Sequence, residues 1–137
     1  MGATYELSGR VALDLSREAE YLPLLEKLTE ELLPEEYSYD PISGELWIDS
    51  WALRSHASME RIDDALTKLG RYAVQAARLD TRYDGGDVEP FWIGPDELAL
   101  IRAKITEARH DIAWAMNDLA RLMWEEELWL LQQSVGL

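Results

Sequence analysis

Tyr37-Ser38-Tyr39-Asp40-Pro41-Ile42-Ser43-Gly44-Glu45-Leu46-Trp47-Ile48-Asp49-Ser50-Trp51 is the stretch on which the fold turns. A cluster of turn formers, Asp40 to Gly44, separates two β-favouring runs, which predicts a hairpin. Everything else arranges itself around that hairpin. On its N-terminal side, residues 4–15 alternate in polarity, with Tyr5, Leu7, Val11, Leu13 and Leu15 on one parity, as a half-buried strand requires. Asp14 or Ser16 then offers an N-cap, and Glu18 and Glu20 suit the positive end of a helix dipole. Helical spacing of Tyr21, Leu24, Leu25, Leu28 and Leu32 predicts a helix over residues 17–33, ended by Pro34. Pro23 is comfortable only in a first turn, which favours a start near Glu20.

On the C-terminal side, Met59, Ile62, Ala65, Leu66 and Leu69 predict a second helix over 58–69, with Gly70 as its C′ residue and His56 in the loop before it. Residues 72–83 and 88–93 then flank Asp84-Gly85-Gly86-Asp87, a second hairpin or a long strand with a bent end. Gly94-Pro95 closes this part. Residues 96–133 contain neither Gly nor Pro and read as one helix. At 1.5 Å per residue it would run about 57 Å, while a domain of this size is about 30 Å across. The helix is therefore either broken, near Asn117 or Glu125, or projects.

Strand, helix, strand, strand, helix, strand is the βαββαβ order of the ferredoxin-like fold, an α+β arrangement with two helices covering one face of an antiparallel sheet. The expectation is one acidic domain: a ferredoxin-like core over 1–94 and a long C-terminal helical extension over 95–137. That fold hosts many functions and names none.

Composition narrows the classes. The 137 residues include 27 acidic and 13 basic side chains, a net charge of -14, with 47% hydrophobic residues and no cysteine. A globular apolar fraction argues for a folded chain, and the missing cysteines exclude disulfides, thiolate nucleophiles and cysteine-based metal sites. No apolar run approaches a membrane span and the N-terminus lacks a signal-peptide pattern, so a soluble, cytoplasmic protein is expected.

The chemistry-bearing patterns are sparse. No phosphate-binding glycine motif is present, and the two histidines, His56 and His110, belong to no nucleophile or metal spacing. The segment 80–89 gathers Asp80, Asp84, Asp87 and Glu89, yet its spacing does not match a calcium loop, and its plainer reading is a hairpin tip. No catalytic residue, cofactor or metal is assigned, and the protein is not expected to be an enzyme. Of six tryptophans, Trp47 and Trp51 share strand parity with Asp49, which makes either a helix-covered face or an exposed aromatic platform. An aromatic platform on a basic protein would stack bases, but a charge of -14 repels the phosphate backbone and disfavours direct nucleic-acid binding. In the last helix Leu98, Ile101, Ile105, Ala108, Ile112, Ala115, Leu119 and Leu122 recur at intervals of three and four, a helical packing seam, and Leu128, Trp129, Leu130, Leu131, Val135 and Leu137 follow as an apolar end. That end folds back on the sheet or meets a second copy or another protein.

The acidic excess is spread over the chain, with concentrations at Glu30, Glu31, Glu35, Glu36 and Asp40, at Asp63 and Asp64, at Asp80, Asp84, Asp87 and Glu89, and at Glu125, Glu126 and Glu127. Carboxylates fixed on a scaffold can stand where nucleic-acid phosphates would and steer a basic partner inward. The reading is therefore a non-enzymatic inhibitor that occludes a basic, nucleic-acid-handling protein such as a nuclease. Anti-CRISPR, anti-restriction and nuclease-immunity proteins are the analogous settings. The carboxylates above other than Asp63 and Asp64, with Trp124 and Trp129, form its expected contact set, and a homodimer through the last helix is a further expectation. The alternatives are a small-molecule-binding or enzymatic ferredoxin-like dimer and an oligomeric structural component.

Overall fold

The computed structural model describes residues 2–134 and divides into two units, residues 1–101 and 102–137. Val135 and Leu137, and the side chains of Leu128 and Leu131, lie outside the described residues. The first unit is α+β. Its elements are β1 (Gly2–Ala12), α1 (Glu18–Glu30), β2 (Tyr37–Tyr39), β3 (Glu45–Ser55), α2 (His56–Gly70), β4 (Ala77–Tyr83) and β5 (Glu89–Ile93); α3 (Glu97–Ser134) begins in it and makes up the second unit. Five strands form one sheet in the order β2-β3-β1-β4-β5, every pair antiparallel.

Parity decides which side chains the sheet buries. Ala3, Tyr5, Leu7 and Val11 of β1, Leu46 and Ile48 of β3, and Leu79 of β4 point into one apolar cluster with Tyr21, Leu25 and Leu28 of α1 and Met59, Ile62, Leu66 and Leu69 of α2. Both helices thus cover the same sheet face. Gly9 keeps β1 close to β4. Its φ is +148°, and a Cβ there would stand 2.4 Å from Leu79 Cδ2.

Several boundaries differ from the sequence reading for local reasons. β1 ends at Ala12, and Leu15, expected on its buried parity, instead lies 37% exposed in a single 3-10 turn capped by Asp14, whose carboxylate accepts from the Ser16 N–H at 3.0 Å. α1 starts at Glu18, leaving Pro23 in its second turn, and stops at Glu30, short of 33. Pro34 forces Leu33 into extended backbone (ψ 153°), and the Glu31 and Leu32 N–H groups tighten onto the Leu28 and Thr29 carbonyls. α2 starts at His56, since Ser55 caps it by accepting from the Ser58 N–H at 3.1 Å; His56 is therefore helical. β4 starts at Ala77, five residues later than the run beginning at Tyr72. A fifth strand confirms the second hairpin. α3 is continuous through Asn117 and Glu125.

None of the six tryptophans is buried. Trp47 and Trp51 project from the sheet face away from the helices, and Trp51 is 71% exposed. Leucine, isoleucine and tyrosine fill the space between sheet and helices instead.

Candidate acidic-aromatic recess

The β4–β5 hairpin builds the site. Its strands pair from Ala77 opposite Ile93 to Thr81 opposite Glu89. At the tip Asp84 and Gly85 both take positive φ (49° and 71°), the geometry a tight reversal between twisted strands demands. Asp84 is spent on this turn: its N–H donates to the Thr4 carbonyl at 2.8 Å and its carboxylate accepts from the Thr4 N–H at 2.9 Å, tying the tip to β1.

On the helix side of the hairpin lies a recess of about 470 Å³. Tyr5, Tyr83 and Phe91 supply its aromatic walls, Asp63 of α2, Asp87 and Glu89 its carboxylates, and Arg82, paired with Glu6 at 3.5 Å, also lines it. The Tyr5 hydroxyl donates to Asp63 Oδ1 at 2.6 Å. Burial pushes the Asp63 carboxyl above the usual aspartate range, with the Tyr5 hydrogen bond offsetting part of that. Burial, followed by donation to Asp63, likewise raises Tyr5, so the phenol remains a donor. Tyr83, half exposed, stacks on His56 with ring centroids 6.3 Å apart. Asp87 and Glu89 stand exposed at the rim. Aromatic rings and carboxylates lining one recess are chemically suited to an ammonium or guanidinium group, which gains from both the ring faces and charge-assisted hydrogen bonds.

Across the hairpin, on the open sheet face, a shallower groove of about 240 Å³ runs past Glu6, Asp49, Trp51, Asp80 and Arg82. The charges of this sheet face are largely internal pairs: Arg82 with Glu6 at 3.5 Å, Arg78 with Asp80 at 3.0 Å, and Arg10 with Glu45 at 3.5 Å. Arg10 also lies 5.1 Å over the Trp47 ring. This face is aromatic and nearly balanced in charge.

The other carboxylates predicted to face a partner separate into distinct roles. Glu36 is 5% exposed and structural, a correction to its grouping with surface acids. Its carboxylate accepts from Arg54 at 2.9 Å, from the Ser50 hydroxyl at 2.6 Å and from the Leu33 N–H at 2.8 Å. Burial alone would raise it, but these donors together hold it below the ordinary glutamate range. Glu31, hydrogen-bonded by Arg61 and by Ser58 at 2.8 Å, is also lowered, chiefly by Arg61. Glu30 lies in a cleft that it shares with Lys27, Arg61 and Lys68. Asp40 holds the β2–β3 turn, accepting from the Ile42 N–H at 2.8 Å and from Ser43 at 3.0 Å. Glu35 is exposed. In the second unit Glu125, Glu126, Glu127, Trp124 and Trp129 are all exposed on α3. The structure thus brings Asp87 and Glu89 together at the recess, sets Asp80 on the hairpin's opposite face, and disperses the rest.

Neither Asp63, read only as half of an acidic pair with Asp64, nor Arg54 is among the expected site residues. Both carried a signal: Asp63 adjoins the buried Ile62 stripe, and Arg54 shares parity with Leu46, Ile48 and Ser50, the inward side of β3. Among the described residues, no group of three or more His, Cys, Asp or Glu is placed to hold a metal ion, and no helix is long and apolar enough to cross a membrane. Comparison with known proteins finds no family model, curated protein or solved structure that matches the chain.

Proposed function

We propose that this is a non-enzymatic binding protein that receives a basic side chain of a protein partner in the recess between the β4–β5 hairpin and α2. In this reading it occludes a basic surface of a nucleic-acid-handling protein, in the manner of anti-CRISPR, anti-restriction or nuclease-immunity inhibitors. One observation carries it: Asp63, hydrogen-bonded to Tyr5 and pushed up by burial, sits in an aromatic recess with Asp87 and Glu89 at its mouth. A guanidinium placed there satisfies a desolvated carboxylate and stacks on Tyr83 or Phe91. The charge of -14 adds long-range attraction for a basic protein and repulsion for nucleic acid.

The same reading takes the first four strands as ferredoxin-like, supported by their order β2-β3-β1-β4 with α1 after β1 and α2 after β3; β5 then extends the sheet beyond β4. It places the protein in the cytoplasm, where such partners work.

Calorimetric titration of the full chain with hexa-arginine peptide tests it. Binding is expected at low salt and should fall steeply at about 0.5 M salt, where the Debye length is about 4 Å. Asp63→Asn should weaken it roughly tenfold, the scale of one charge-assisted hydrogen bond, and Asp87→Asn with Glu89→Gln a few-fold. Salt-independent binding, or equal affinity for free arginine amide, would refute a protein-docking role; the second outcome would mark a small-molecule site.

A further inference from the structure

We infer that α3 pairs with α3 of a second copy of this chain, antiparallel, through the seam from Leu98 to Leu122. The helix runs 38 residues, about 57 Å, and its seam is open: Ile112 and Leu119 are each 59% exposed and Leu98 is 54% exposed. A helix that leaves such a row in water gains little from tertiary packing, and a soluble chain seldom leaves a patch of this length uncovered. The paired span, residues 98–122, runs about 36 Å on each copy, between six and seven turns of helix.

Side-chain size and charge select the occupant and its direction. Written as heptads, Leu98, Ile105, Ile112 and Leu119 form one row of the seam and Ile101, Ala108, Ala115 and Leu122 the other. A parallel in-register pair would stack each row on itself, alternating isoleucine layers with underfilled alanine layers. An antiparallel pair packs one row against the other. Centred between Ala108 and Ile112, it sets Ile112 on the partner's Ala108 and Ile105 on the partner's Ala115, so the central layers match in volume. Leu98 then meets the partner's Leu122, and Leu119 the partner's Ile101. Glu126 occupies the next seam position and ends the apolar row.

Charge agrees. Residues 97–110 carry three bases against two acids, whereas 111–134 carry five acids against one base. A parallel pair would align the two acidic halves. The antiparallel pair sets Arg102 and Lys104 opposite residues 116–118 of the partner and brings Lys104 beside the partner's Asp118, whose carboxylate also accepts from Arg121 of its own helix at 2.7 Å, while Glu125, Glu126 and Glu127 lie past the end of the paired span. Opposed helix dipoles favour the same direction.

Sedimentation equilibrium of the full chain, followed down a dilution series, should give twice the 15.7 kDa chain mass. Ile112→Glu should return it to one copy while the tyrosine near-ultraviolet spectrum of the first unit persists. Because the chain has no cysteine, single-cysteine variants report direction unambiguously. Asp111→Cys, beside the two-fold axis, should form a disulfide-linked dimer under mild oxidation, and Leu122→Cys should not. A wild-type mass of one copy overturns the inference. Cross-linking at Leu122→Cys without cross-linking at Asp111→Cys overturns the antiparallel arrangement. A monomer that still binds hexa-arginine would sink this inference and leave the recess reading standing.

Discussion

Removing Arg54 should be among the most damaging single changes to the first unit. Arg54 and Glu36 have side chains only 9% and 7% exposed, and their ion pair at 2.9 Å is the most deeply buried of the chain's described pairs. Arg54 also donates to Ser50 at 3.0 Å and to the Glu31 carbonyl, so one guanidinium joins the end of β3, the end of α1 and the turn before β2. Arg54→Ala leaves Glu36 charged, buried and supported only by Ser50 and the Leu33 N–H. Breaking one side of such a pair costs about 3–5 kcal/mol, a large share of the roughly 5–15 kcal/mol that holds a domain folded. Glu36→Ala should cost a similar amount by stranding the guanidinium. The paired replacement Glu36→Leu with Arg54→Met removes both charges and should cost much less than the two single changes added together, because no desolvated ion remains. Urea unfolding at pH 7 measures all four proteins, followed by near-ultraviolet circular dichroism of the buried tyrosines. Tryptophan fluorescence is the poorer probe, since five of the six indoles are exposed and Trp92 is only partly buried. A cost below about 1 kcal/mol for Arg54→Ala, or strictly additive costs in the cycle, would refute the assignment of this pair to the interior.

The acid limb of stability should follow the same pair. Glu36 and Glu31 are lowered in the folded state, so the unfolded chain binds more protons; their stabilisation is present above their unfolded pKa, near 4.3, and is lost as pH falls through the folded values. Glu36→Gln should therefore flatten the loss of melting temperature seen on acidification. Asp63 has the opposite sign: its raised carboxyl makes ionisation unfavourable in the fold, so Asp63→Asn should leave stability at pH 7 unchanged or slightly higher, read by urea midpoint, even as it weakens hexa-arginine binding. Gly9→Ala places a methyl 2.4 Å from Leu79 Cδ2 at a φ of +148° and should cost about 1–3 kcal/mol, visible as a fall of several degrees in the thermal midpoint. Trp51→Ala should change stability by less than about 0.5 kcal/mol, in contrast to about 2–5 kcal/mol for Leu79→Ala, because one side chain faces water and the other the core.

The elements were legible where periodicity and turn chemistry agree. Tyr21, Leu25 and Leu28 announce α1, Met59, Ile62 and Leu66 announce α2, and the breaker clusters at 40–44 and 84–87 mark both hairpins. Element ends were less legible because they depend on single hydrogen bonds, such as the Ser55 cap that starts α2 two residues before the periodic stretch. The tryptophans showed the limit of composition: Trp47 and Trp51 have known parity in the sequence, but which parity faces the helices is settled only when β1 and β3 pair. The site was half legible. Asp87 and Glu89 stand out in an acidic hairpin, whereas Asp63 reads as an ordinary surface acid of α2 until the sheet brings Tyr5 beneath it. Glu36 misled for the complementary reason, since its neighbour Glu35 is exposed and only the distant Arg54 and Ser50 draw Glu36 inward.

The occupancy of the recess by a basic side chain is tested most directly at the Asp63 carboxyl carbon, whose NMR shift can be followed against pH with and without hexa-arginine. A guanidinium seated against Asp63 must stabilise the carboxylate, so its pKa, raised in the free protein, should drop on peptide addition and recover when salt displaces the peptide. A titration curve that stays in place while the peptide binds would put the cation elsewhere and contradict the account.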